Sequence, residues 1–91
     1  MYTERVEIIN KTGLHARPAA EFVQKAKQFK SKIKISNCSV DSGPPVNAKS
    51  IVSVLTQCLS TGVIAEISAE GEDEREAVVA LVTLINAGFD E

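Results

Sequence analysis

The sequence has 91 residues, of which 44% are hydrophobic and 24% are charged, and its formal net charge is -2. This composition is ordinary for a small globular protein, and we expect a single domain over residues 1–91. The slight negative charge disfavours nucleic acid as a partner. No apolar run is long enough to cross a bilayer, and the N-terminal residues lack a signal-peptide core, so we expect a cytoplasmic protein without membrane insertion.

Hydrophobic periodicity predicts secondary structure in the order β-α-β-β-α-β-α. The predicted strands cover residues 2–9, 32–36 and 63–69, with a short one around Val46. The predicted helices cover 16–29, 50–59 and a segment that begins in the acidic run 70–76 and stops at Asn86 and Gly88. Each helix has one apolar stripe and each clear strand has one apolar face. We therefore predict an α+β fold, a two-layer sandwich whose helices cover one side of a sheet.

The two cysteines are interpreted as free thiols, because the predicted compartment is reducing. Cys58 falls in the apolar stripe of the second helix with Ile51, Val54 and Leu55, so we expect a small buried side chain there. Cys38 is expected in a loop. Two cysteines and one histidine are too few ligands for a closed zinc site, and we expect no metal and no cofactor.

His15 is the only histidine, and it stands at the predicted start of the first helix, after a loop that contains Gly13. A neutral imidazole is a nucleophile. The first N–H groups of a helix attract anions, and Arg17 adds a guanidinium that suits phosphate oxygens. These are the groups that phosphoryl transfer requires. On spacing alone, a surface or capping histidine is the other interpretation.

The seven-residue run GLHARPA, residues 13–19, closely resembles the active-site motif of the HPr family, the histidine phosphocarriers of the bacterial phosphotransferase system. The likeness extends over nearly the whole chain. It implies an open-faced sandwich of four antiparallel strands with three helices on one face. It also implies that Enzyme I, which takes a phosphoryl group from phosphoenolpyruvate, phosphorylates Nδ1 of His15, while Arg17 stabilises the phosphate. The carrier then passes the group to IIA domains of sugar permeases, without enzymatic turnover of its own.

Ser50 precedes the second predicted helix within the run Lys49-Ser50-Ile51. Its hydroxyl suits an N-cap, which is a sufficient structural role. The resemblance adds a regulatory one, since many Gram-positive HPr proteins have Lys-Ser-Ile here and a bifunctional kinase/phosphorylase modifies the serine. HPr kinase/phosphorylase and a transcriptional regulator are therefore further candidate partners.

The second predicted helix has a wider apolar arc than one core face requires. Burial and exposure of Ile51 and Leu55 are equally compatible with the pattern, and an exposed patch would form a docking surface. The resemblance implies that Ile51, Val52 and Leu55 bind Enzyme I and other partners.

The sequence departs from the family pattern at three places. Ser53 replaces a frequent glycine, Gln57-Cys58 replaces a common Leu-Gly near the end of the second helix, and residues 39–45 exceed the usual tight hairpin. Because Pro44 and Pro45 cannot donate ladder hydrogen bonds, the third strand is expected to be short.

Alternative functions stay open. The ending INAGFDE, residues 85–91, resembles some carriers of the nitrogen-related phosphotransferase branch. A regulatory binding module would act through Ser50 and the second helix alone, but regulators of that kind have lost the histidine. An enzyme with a cysteine nucleophile is disfavoured, because no second histidine exists to activate either thiol.

Overall fold

In the computed structural model, which describes residues 1–40 and 43–90, the elements follow the predicted order. The strands are β1 (Tyr2–Glu7), β2 (Lys32–Asn37), β3 (Val46–Asn47) and β4 (Ile64–Glu70). The helices are α1 (Ala16–Ala26), α2 (Ile51–Thr56) and α3 (Glu74–Asn86), and a 3-10 turn at Gly88–Asp90 follows. Two residues of the 39–45 segment, Asp41 and Ser42, lie outside the described residues.

The strands form one antiparallel sheet in the order β1-β4-β2-β3, with the helices on one face, which confirms the predicted fold. Alternation along each strand separates a helix-facing side from an open side. The helix-facing side is apolar and buried, and it consists of Val6, Ile33, Ile35, Ala65, Ile67 and Ala69. The open side carries charged residues such as Lys32 and Lys34. Strand β3 pairs with β2 at two positions only, as the neighbouring prolines predict.

Helix α1 buries the predicted stripe, which consists of Ala19, Phe22, Val23 and Ala26. It ends at Ala26, so the prediction of a helix to Phe29 is wrong. The N–H groups of Gln28 and Phe29 donate to carbonyls three residues back, at 3.1 and 3.2 Å. This tighter winding replaces the last α-helical turn, and Phe29 still packs partly buried against the core.

Helix α2 is also shorter than predicted, because polar contacts to β2 end it. The Asn37 N–H donates to Oε1 of Gln57 (3.2 Å), and Nδ2 of Asn37 donates to the Gln57 carbonyl (2.9 Å). Cys58 then has a φ of +51°. The chain therefore turns away, Cys58 is exposed and Leu59 is buried in its place. The prediction of a buried Cys58 is wrong.

Helix α3 buries most of its predicted stripe and stops at Asn86, as expected. Gly88, with a φ of +71°, reverses the chain, and the following 3-10 turn places Phe89 in the core at 2% exposure. The sequence pattern did not predict this buried aromatic residue.

Candidate functional site

The loop before His15 is fixed to the segment that follows α2. The Leu14 N–H donates to the Leu59 carbonyl (2.8 Å). Within the loop, Nδ2 of Asn10 donates to the Gly13 carbonyl at 2.8 Å. From the other side, the Thr61 hydroxyl donates to the carbonyl of Asn10. The bonds to Leu59 and from Thr61 join residues far apart in sequence, so the loop presents His15 from a fixed base.

Gly13 allows this close approach. Its φ is +67°, and a Cβ at this position would lie 2.6 Å from the Leu59 carbonyl oxygen and 2.8 Å from Cα of Ser60. A residue with a Cβ would therefore have a strained backbone here, and the Cβ would also push the loop away from Leu59 and Ser60.

His15 is the N-cap residue of α1, with extended backbone angles (φ -105°, ψ 164°), and its side chain makes no capping hydrogen bond. The side chain is exposed. The next residue, Ala16, has a φ of +27°, which is a strained value for a residue with a Cβ. The predicted position of His15 at the start of the first helix is confirmed, and its exposed imidazole makes no capping bond.

The start of α1 also presents backbone donors. The first intrahelical bond runs from the Ala19 N–H to the His15 carbonyl (3.1 Å). Pro18 has no N–H to leave unpaired. The N–H groups of Ala16 and Arg17 have no acceptor within the helix, so they are available to an anion beside His15.

Arg17 lies two residues after His15, within one helical turn, but its guanidinium is paired with another side chain. Its Nε is 3.7 Å from Oε1 of Glu21, and both side chains are largely exposed. An exposed pair of this kind is weak and exchanges readily. Glu21 was not among the predicted site residues, although its i,i+4 spacing from Arg17 is a signal for such a pair.

Ser50 is the N-cap of α2, as predicted. Its hydroxyl oxygen accepts a hydrogen bond from the Ser53 N–H at 3.3 Å. Ser53, one of the departures from the family pattern, thus supplies the backbone donor that Ser50 uses. The Ser50 side chain is half-buried and lies directly before the exposed Ile51.

An apolar patch covers the outer side of α2. Ile51, Val52 and Leu55 are 39%, 70% and 42% exposed, whereas Val54 is fully buried. The sequence left burial or exposure of Ile51 and Leu55 open, and the structure places both at the surface. The bond from Leu14 to Leu59 links the segment that follows α2 to the loop that carries His15.

The described residues offer few other groups for chemistry. Both cysteines are free thiols at the surface. No helix in residues 1–40 and 43–90 is long and apolar enough to cross a membrane. Over the same residues, no three histidine, cysteine or acidic side chains form a group that could hold a metal ion.

The chain matches known proteins in both sequence and fold. Residues 2–87 match the family model for the "PTS HPr component phosphorylation site". The chain is 48% identical to the phosphocarrier protein HPr of Haemophilus influenzae over 93% of this chain and 95% of the relative. It is 42% identical to the HPr-like protein Crh of Bacillus subtilis over 93% of this chain and 95% of the relative.

Among solved structures, HPr from Thermoanaerobacter tengcongensis superposes with a TM-score of 0.91 at 48% identity, covering 100% of this chain and 98% of the other. The match therefore includes the sheet, the three helices and the connecting loops. The chain belongs to the HPr family, the phosphocarrier proteins of the phosphotransferase system.

Proposed function

We propose that this chain accepts a phosphoryl group from phosphorylated Enzyme I on Nδ1 of His15 and donates it to IIA domains of sugar permeases. The exposed, uncapped imidazole at the start of α1 is the observation that carries this proposal. As a carrier, the chain is expected to work in the cytoplasm, where both partners would meet it, and to show no turnover without them.

The transfer is a displacement at phosphorus. The lone pair of Nδ1 attacks the phosphorus atom, a P–N bond forms, and the bond from phosphorus to its donor group on Enzyme I breaks. Charge develops on the phosphoryl oxygens during this step. The N–H groups of Ala16 and Arg17 are free within α1 to meet those oxygens, and transfer to a IIA domain reverses the same contacts.

Arg17 would contribute a movable positive charge. In the unphosphorylated chain its guanidinium is paired with Glu21. A phosphate on His15 carries more charge and more acceptor oxygens than one carboxylate, so it would compete for the same guanidinium. Arg17 would then leave Glu21 and hold the phosphate without a large movement of α1.

Docking would use the patch formed by Ile51, Val52 and Leu55. A partner that covers these side chains removes apolar surface from water, which stabilises the complex. Since the segment that follows α2 is bonded to the loop before His15, a partner bound on α2 would lie close to the imidazole.

Mass spectrometry after incubation with phosphoenolpyruvate and Enzyme I tests the proposal. We expect a mass gain of one phosphoryl group that acid removes and base leaves intact. Enzyme I of the sugar branch and its nitrogen-branch counterpart should be compared, because a strong preference for the latter would assign the chain to the nitrogen-related system. No phosphorylation by either would contradict the carrier function.

A second function, regulation through Ser50, has a specific observation in its favour. The Ser50 hydroxyl lies at the edge of the exposed patch, so a phosphate there would place two negative charges beside the docking side chains. The chain also has HPr-like Crh proteins among its relatives. Incubation with HPr kinase/phosphorylase and ATP, followed by binding to a transcriptional regulator, tests this role, with Ser50→Ala as the control.

A further inference from the structure

An open pocket of about 390 Å³ lies along β2 and β3, on a different part of the surface from the residues assigned to phosphoryl transfer. Four lysines line it, and they are Lys30, Lys32, Lys34 and Lys49. Asn47 also lines it, and none of the described lining residues is acidic. We call this set of residues the lysine pocket. It is a concentration of positive charge on a chain whose net charge is -2.

The backbone fixes two of the lysines side by side. Lys32 and Lys34 are two residues apart on β2, so they point to the same, open face of the sheet, about 7 Å apart along the strand. Lys34 is also directly opposite Asn47 on β3. The Oδ1 atom of Asn47 accepts from the Lys49 N–H at 2.9 Å, which leaves the Nδ2 group of the same side chain to donate.

Lys49 is held in place by its own hydrogen bond. Its Nζ donates to the Phe29 carbonyl at 2.7 Å, and the side chain is partly buried. An ammonium group has three donors, so two remain after this bond. One cation of the pocket is therefore already ordered before any ligand arrives, which reduces the entropic cost of binding.

The acidic neighbours lie at one end of the pocket. Glu72 is 3.9 Å from Nζ of Lys30, and the Asp73 carboxylate accepts from the Lys30 N–H. Glu70 is opposite Lys32 on β4. Within the described residues, the ion pairs involve neither Lys34 nor Lys49. An anion would therefore bind at the end formed by Lys34, Asn47 and Lys49, with Lys32 at its edge.

We propose that the lysine pocket binds a small polyanion that carries phosphate groups. Compact ammonium ions are good point-charge partners for phosphate. The volume is in the range of small-molecule sites, about 300–1,000 Å³. The acidic residues beside the pocket would repel an extended nucleic acid backbone. This site is separate from the proposed phosphoryl transfer, and binding there requires neither His15 nor Enzyme I.

Titration with pyrophosphate, followed by amide NMR at constant ionic strength, tests the site. We expect saturable shifts at residues 32–34 and 47–49. Lys34→Gln and Lys49→Gln should each weaken binding about tenfold, because each removes a charge-assisted contact. Lys27→Gln, which removes an exposed lysine outside the pocket, is the matched control and should bind like the parent.

Three results would overturn the proposal. Shifts confined to residues 15–17 would place the anion at the start of α1. Unchanged affinity in Lys34→Gln would show that the pocket is not the site, and this exposed residue decides the matter if Lys49→Gln does not fold. Tighter binding of an oligonucleotide or an acidic peptide at residues 32–34 and 47–49 would make the surface a macromolecular contact instead.

Discussion

The starts of α1 and α2 resemble each other in backbone but differ in how they use the N-cap side chain. His15 and Ser50 both have extended backbone angles. The Ser50 hydroxyl accepts from a backbone N–H of its own helix, whereas the His15 imidazole makes no such bond. One cap side chain thus contributes a hydrogen bond to its helix, and the other does not. Substitutions at these helix starts test that difference.

Replacement of His15 by alanine should abolish phosphoryl acceptance from Enzyme I. The free energy of unfolding should change by no more than about 0.5 kcal/mol, because the exposed side chain makes no capping bond. Mass spectrometry and thermal unfolding measure the two effects. An acid-labile, base-stable phosphate on the variant would contradict the assignment of His15.

Arg17→Ala should bind Enzyme I normally but accept the phosphoryl group more slowly. Loss of one donor to the developing charge lowers such rates by a factor on the order of a hundred or more. Rapid-quench kinetics with titration calorimetry separates transfer from binding. Equal transfer rates in variant and parent would mean that the backbone donors of α1 suffice.

Substitutions of Ser50 are expected to affect the free energy of unfolding and the docking of Enzyme I differently. Ser50→Ala should lower the free energy of unfolding by about 0.5–2 kcal/mol, since it removes the cap. Ser50→Asp should leave it unchanged or raise it by about 0.3–1 kcal/mol, because a negative charge is favourable at a helix start.

The same Ser50→Asp substitution should weaken binding to Enzyme I, because docking on the patch beside it must desolvate the carboxylate. Calorimetry with Enzyme I beside thermal unfolding tests both substitutions. If Ser50→Asp binds as tightly as the parent, Ser50 has only its structural role.

For α1 and α2, the sequence predicted the starts better than the ends. The starts depend on local chemistry, such as a capping hydroxyl at Ser50, and periodicity located the strands and most of the core. The end of α2 depends on Asn37, twenty residues away in sequence, which bonds to Gln57. The support of the His15 loop by the Leu59 carbonyl is likewise a long-range contact that no local pattern contains.

The start of α3 is a third case, because its N-cap residue, Asp73, bonds to the connection between α1 and β2. The side-chain hydroxyl of Ser31 and the backbone N–H of Lys30 donate to the carboxylate, and these bonds lower the pKa of Asp73 from 3.8 to about 2. Because the folded pKa is the lower one, this contribution to stability is present above about pH 4 and is lost as the pH falls towards 2.

Asp73→Asn should therefore lower the melting temperature at pH 7, and the difference from the parent should shrink between pH 4 and pH 2. Thermal unfolding across this range measures it, with Glu76→Gln as an exposed acidic control on α3. A difference that stays constant with pH would mean that the charge of Asp73 does not contribute.

Glu21→Gln should have the smallest effect and is the most specific test of how the start of α1 works. If Glu21 holds Arg17 away from His15 in the unphosphorylated chain, its removal frees the guanidinium and should speed phosphoryl acceptance. Exposed ion pairs contribute little, so the gain should be at most about fivefold.

A double-mutant cycle separates this effect from a change in net charge. In an Arg17→Ala background, Glu21→Gln should no longer alter the rate, because the group that Glu21 engages is absent. Glu76→Gln, which changes the charge equally on a different helix, should leave the rate unchanged in both backgrounds. If Glu21→Gln speeds transfer in the absence of Arg17, Glu21 acts directly on the incoming partner. Competition between Glu21 and the phosphate for the Arg17 guanidinium then does not control the rate.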